Sequence, residues 1–253
     1  MWRNLAKGWQ QAREQAALQR RRINDALWNR TLIRYPFLQH PDDPGAAALR
    51  RLAALFLDSK EFHAVGKVRL TNDVALTVAV QACVPVRQVG LDWYSRFVGI
   101  VLRDDAVLAP RCVADDLGVV HEYTEALSGE AIDGGPMMLS WPDVRRAAET
   151  APDGYNLVIH ECAHVIDAHL GLSAGDSATG RLLREAHERM LEQCERGQQP
   201  LLDDYAATSV AEYFAVASEA FFVAPQRVVG TSGALYQALR ELYRQDPAAQ
   251  APR

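Results

Sequence analysis

Apolar or small side chains recur at Trp2, Leu5, Trp9, Ala12 and Ala16, the spacing of an amphipathic helix within residues 2–30. Pro36, Pro41, Asp42, Asp43, Pro44 and Gly45 then make a turn-rich break. Residues 46–56 (AAALRRLAALF) predict a helix from propensity and spacing together. Residues 74–86 are dense in Val and Ala as far as Pro85 and fit a helix or a strand equally well. Residues 97–102 (FVGIVL) and 106–108 read as buried strands. Met137-Met138-Leu139, between Gly134-Gly135-Pro136 and Pro142, reads as an edge strand. From Asp153 onwards the pattern is helical, with breaks at 171–180 and 197–200 and with Pro225 ending a helix that starts near Ser209. No internal repeat or low-complexity stretch occurs. The pattern predicts a helical extension over residues 1–45 and one mixed domain over 46–253.

Composition narrows the class. Hydrophobic residues make up 49% and charged residues 23% of 253 residues, which excludes a disordered or collagen-like chain. No window approaches 18 uninterrupted apolar residues, so no membrane span is expected. The first residues are rich in Gln and Arg with no apolar core, which predicts no secretory signal. Cys83, Cys112, Cys162 and Cys194 are widely spaced and read as reduced thiols of a cytoplasmic protein. The charge is uneven: residues 1–34 carry +6 and the remainder −11. An acidic body argues against direct nucleic-acid binding, and the basic head reads as a solvated helix face.

One segment carries chemistry. Residues 157–167 (LVIHECAHVID) hold H-E-x-x-H inside an apolar, helix-compatible run. Positions four apart on a helix lie about 40° apart around its axis, so His160 and His164 can share one Zn²⁺. Glu161 is offset from that line and falls where a metallopeptidase keeps its general base. Cys162 lies about 200° from His160 and should face the core. Two unpaired imidazoles on a buried helix would be costly, which favours the metal over two core histidines.

A catalytic zinc needs a third protein ligand and an open position. His169 misses the register from His164 by about 140°, and His187 sits in a charged run where exposure is the simpler reading. Glu212 and Glu219, seven apart on an otherwise apolar segment, share one helix face. Ser209-x-x-Glu212 is also a capping box, so spacing alone leaves Glu212 equally a ligand or a helix cap. Asp167, seven after His160, is read either as an acceptor for a ligand imidazole or as a solvent-facing acid. Residues 171–175 spell G-x-S-x-G, but they follow a predicted helix rather than a buried strand, which speaks against a nucleophile elbow. No phosphate-binding glycine loop is present.

The chain resembles the Mlc titration factor A family of cytoplasmic zinc peptidases. The resemblance rests on GYNLVIHECAHVID (154–167), DDYAATSVAEYFAVASEAFF (203–222), VGLDWYSRF (89–97) and GGPMMLSW (134–141), and runs from about residue 48 to 246. It implies His160, His164 and Glu212 as ligands of one zinc ion, Glu161 as general base and Tyr205 as the catalytic tyrosine. Without it, Tyr205 would be read as a packed loop aromatic. With the helical and strand pattern it leads to an α+β, zincin-like fold: mostly helical, with a small mixed sheet. It implies aminopeptidase-type action on short peptides and a link to the sugar-responsive repressor Mlc. Met137, Met138, Leu139 and Ser140 are candidates for pairing with an extended peptide substrate, and Asp167 and Glu219 for holding the ligands in place. The rival reading is a protein that sequesters a repressor, with a structural or weakly active zinc site. Glu161 favours the enzyme, because a structural site has no use for a base beside an open position.

Overall fold

A computed structural model describes residues 2–38, 43–104, 107–114, 120–127, 129–131 and 135–250. Pro41, Asp42, Ala106 and Gly134, named above as turn or strand residues, lie outside them. The N-terminal pattern divides into α1 (Trp2–Arg20) and α2 (Asp25–Arg34). Asn24 makes the break, because its Oδ1 accepts from the main-chain N–H of Ala26 (2.9 Å) and Leu27 (3.2 Å) and so starts a new helix. Trp9, on the expected apolar stripe, is 72% exposed, and burial of α1 is found further along, at Ala17. Trp28, Tyr35 and Leu38 belong to the same continuous core as the rest of the chain.

The predicted helix at 46–56 is α3 (Asp43–Ser59), followed by β1 (Glu61–Ala64). The ambiguous Val/Ala run is helical, α4 (Asn72–Val86), with Thr71 Oγ1 accepting from Val74 N–H at 3.3 Å. Its side chains are buried at Val74 and at every position from Leu76 through Val86, so it has no solvent-facing side to reveal a 3.6-residue period. Pro85 sits in its last turn, and the carbonyls of Val84 and Pro85 accept from Gln245 Nε2 at 2.9 and 3.1 Å.

Strands β2 (Gly99–Arg103), β3 (Val107–Ala114), β4 (Val120–Leu127), β5 (Gly129–Ala131) and β6 (Met137–Ser140) follow. β3 and β4 form an antiparallel pair, Val107 opposite Leu127. The other strands make a sheet in the order β1-β2-β6-β5. β1, β2 and β6 run parallel, while β5 closes one side antiparallel to β6. This corrects the edge-strand expectation for Met137–Ser140. β6 is an inner strand, with Met137 opposite Ile100 on one side and Ala131 on the other. A short apolar run bounded by Pro looks the same with one neighbour or two, since partners are set by the ladder and not by the strand's own residues.

Helices complete the chain: α5 (Trp141–Arg145), α6 (Ala147–Thr150), α7 (Leu157–Leu170), α8 (Ala178–Glu195), α9 (Val210–Val223), α10 (Pro225–Thr231), α11 (Gly233–Tyr243) and α12 (Pro247–Gln250). α7 lies at the centre, packed against α4, α9 and β5. No helix among the described residues is long and apolar enough to cross a membrane.

Candidate metal centre

Two capped helices build the site. Asn156 caps α7, its Oδ1 accepting from Ile159 N–H at 3.0 Å, and Gly171 ends the helix in the left-handed region at φ 65°. Within α7 the four-residue spacing brings the Nε2 atoms of His160 and His164 to 3.1 Å of each other. On α9, Ser209 Oγ accepts from Glu212 N–H at 3.1 Å, so the cap is real. The Glu212 carboxylate is nonetheless turned to the histidines: Oε2 lies 3.1 Å from His160 Nε2 and 3.2 Å from His164 Nε2. Ser209 therefore supplies its half of the capping box, while the Glu212 carboxylate that would supply the other half faces the two imidazoles.

Among the described residues, His160, His164 and Glu212 form the group of three ligating side chains whose donor atoms converge. The triangle they make, with donor atoms 3.1–3.2 Å apart, fits a metal that all three would hold at about 2.0–2.1 Å. The donor set, two imidazoles and one carboxylate, suits zinc. Glu212 Oε2 is buried and makes no hydrogen bond despite its two close nitrogens. A buried lone pair with no hydrogen-bond donor is one that a cation would satisfy. Burial raises the Glu212 pKa, but the two imidazoles outweigh it and hold the carboxyl well below the usual carboxylate range.

Glu161 is buried at 3% exposure and its Oε2 is also without a hydrogen-bond partner. Burial pushes its pKa up to about 7. Tyr205 lies on a short 3₁₀ turn (Asp204–Ala207) just before α9, its ring 6.1 Å from the His160 ring. His187, only partly buried, pairs at Nε2 with the Ala207 carbonyl (3.0 Å), which ties that turn to α8; His169 is exposed. Cys162 faces the core as its helical angle requires, and burial pushes its thiol up to about 12.

Glu219 Oε1 lies 2.6 Å from His160 Nδ1. Burial works against a charged His160, yet the Glu219 and Glu212 carboxylates outweigh it and raise its pKa well above the usual imidazole range. Asp167 does not reach an imidazole, nor does it face solvent. Its Oδ1 and Oδ2 accept from Ser173 N–H (2.8 Å) and Oγ (2.5 Å), closing the loop after α7. The seven-residue spacing puts it near the His160 face, but two turns along, about 10 Å, is out of an imidazole's reach. The same bonds occupy the serine of G-x-S-x-G, which sits in a loop following a helix and not in a strand-to-helix elbow.

Two site residues were missed from sequence. Asn156 donates its main-chain N–H to Glu219 Oε2 (2.5 Å) and its Nδ2 to Gln81 Oε1 (2.9 Å). Signals for both exist: Asn156 stands three before Ile159 at a helix start, and Gln81 interrupts the apolar run 74–86.

This His/His/Glu arrangement is that of a metallopeptidase, and comparison with known proteins agrees. Residues 9–244 match the family described as glucose-regulated metallo-peptidase M90. The chain is 31% identical over 237 residues to Mlc titration factor A of Klebsiella pneumoniae, covering 88% of this chain and 87% of that one. It is 31% identical over 239 residues to the Mlc titration factor A of Salmonella arizonae, covering 88% and 92%. An uncharacterised Synechocystis protein is also 31% identical, over 85% of this chain and 82% of its own. The chain belongs to the M90 metallopeptidase family.

Proposed function

We propose that this chain is a zincin-like, zinc-dependent peptidase that holds one Zn²⁺ on His160, His164 and Glu212. The observation that carries this is the three-donor triangle, with Glu161 next to His160 in the chain, buried and with its Oε2 lacking a hydrogen-bond partner. Bound zinc would supply Lewis-acid polarisation of the scissile carbonyl and a more acidic water. Glu161 takes the proton of the attacking water at its carboxylate and returns it to the leaving amine. Tyr205 donates its hydroxyl to the oxygen on which negative charge develops. Glu219 keeps the proton on His160 Nδ1 and so presents Nε2 unprotonated to the metal.

Peptide main chain would pair with β5, which has a strand neighbour on one side only among the described residues and packs against α7. β6, enclosed between β2 and β5, has no free edge to offer a peptide. Aminopeptidase-type action on short peptides, a repressor of the Mlc type as partner and a cytoplasmic location rest on the family resemblance and on the name its relatives bear.

A panel of short peptides tests the reading. The zinc-loaded protein is expected to cleave members of the panel, to stop on removal of metal by a chelator and to recover on zinc addition. Cleavage indifferent to chelation would overturn the metal-dependent reading. Tyr205→Phe should lower kcat about 10²–10³-fold with zinc content unchanged, the loss expected of one oxyanion donor. An unchanged kcat would return Tyr205 to a packing role.

A further inference from the structure

Behind the donor triangle runs a chain of buried polar groups that leads away from the metal into the core. It begins at His160 Nδ1, passes to Glu219 Oε1 at 2.6 Å, and continues from Glu219 Oε2 to the main-chain N–H of Asn156 at 2.5 Å. Asn156 Nδ2 then donates to Gln81 Oε1 at 2.9 Å, and Gln81 Nε2 faces the Val144 carbonyl at 3.5 Å. Glu219 is 1% exposed, and Asn156 and Gln81 are 0% exposed. Three elements distant in sequence, α4, the start of α7 and α9, meet in it.

The direction of each bond is determined. Asn156 Oδ1 is occupied as the α7 cap, accepting from Ile159 N–H, so its other amide atom must be the donor. Gln81 therefore presents its oxygen. Asn156 is held at both ends of its side chain, and its main-chain N–H has one fixed line on which to meet Glu219. An ionised carboxylate can only accept, so the proton in the Glu219–His160 contact resides on Nδ1. Nε2, the other ring nitrogen, lies 3.1 Å from Glu212 Oε2 and 3.1 Å from His164 Nε2.

We infer that Gln81 and Asn156 are positioning residues for the metal: Gln81 orients Asn156, Asn156 fixes the Glu219 carboxylate, and Glu219 fixes the tautomer and ring angle of His160. Neither residue touches the donor triangle. The inference rests on the zinc site proposed above and extends it by two residues, one of them on a helix that supplies no ligand. This chain of bonds is what accommodates an amide at position 81 inside a largely apolar helix, since an unpaired polar group there is unfavourable.

The test measures zinc affinity by competition with a chromophoric chelator, on the whole chain. Gln81→Met keeps the length and apolar bulk of the side chain but removes its acceptor. It should bind zinc about tenfold more weakly, at the low end of the effect of losing an outer partner of a ligand. The short His160 Nδ1–H···Glu219 bond should also report the change, its downfield imidazole proton resonance in the zinc-loaded protein moving upfield. Val80→Ala, a core truncation one position away, should lower the melting temperature while leaving zinc affinity and that resonance as in the wild type. If Gln81→Met fails to fold, Gln81→Asn, whose amide is one methylene too short to reach Asn156, must show the same loss. Wild-type zinc affinity in a folded Gln81 variant, or an equal loss in Val80→Ala, would overturn the inference. A wild-type protein that binds no zinc would instead overturn the metal site itself.

Discussion

Zinc-loaded Glu161→Gln is expected to lose peptide cleavage by about 10²–10⁴-fold, the usual contribution of a general base, while retaining its metal. The carboxylate is adjacent in sequence to His160 but is not a member of the donor triangle, so zinc content should match the wild type. The amide has the same shape and cannot accept a proton at neutral pH. It should not destabilise the fold either. Glu161 is buried, one oxygen lacks a partner, and burial already pushes its pKa up to about 7, so a neutral isostere relieves a poorly solvated charge. Parallel measurement of cleavage, metal content and melting temperature checks all three. Cleavage within a few-fold of the wild type would remove Glu161 from the chemistry.

Glu212→Gln is expected to act on the other quantity, metal retention. The carboxylate supplies the one negative charge in the triangle and sits 3.1–3.2 Å from both imidazole nitrogens. Without it, zinc would be held by two neutral rings at full charge. The loss of affinity should exceed the roughly 10–100-fold typical of an outer partner. The helix itself should survive, because Ser209 caps it through the main-chain N–H of residue 212, which the substitution leaves in place. Helical content by circular dichroism should be unchanged while zinc is lost to a moderate chelator. Unaltered zinc content in this variant would exclude Glu212 from the ligand set.

The contrast between these two glutamates shows how much of the site was legible in advance. His160 and His164 were paired by the 3.6-residue period alone, and their Nε2 atoms come within 3.1 Å of each other; Cys162 is buried on the side that period assigns it. Glu212 was ambiguous from spacing because a capping box and a ligand have the same sequence signature, and the carboxylate's orientation depends on a second helix. Asp167 was legible as an acid near the right face and illegible as a loop closure, since Ser173 meets it only once the chain has turned at Gly171. Tyr205 gained its meaning from the resemblance, and the structure sets its ring beside His160.

What the sequence determined by itself is local: a helix start near Ser209, a helix break beginning at Gly171, the pairing of two imidazoles one turn apart, and the buried side of Cys162. These follow from backbone geometry within a few residues. What only the tertiary structure decided is everything that needs two elements at once. It turned the Glu212 carboxylate onto the histidines of α7, set Glu219 against His160 Nδ1, joined Asn156 to Gln81 across 75 residues of chain, and enclosed β6 between β2 and β5. The physical reason is that hydrogen-bond partners and metal ligands are selected by distances of about 2–3 Å between side chains, and a residue's own neighbours in sequence carry no record of which distant element will arrive there.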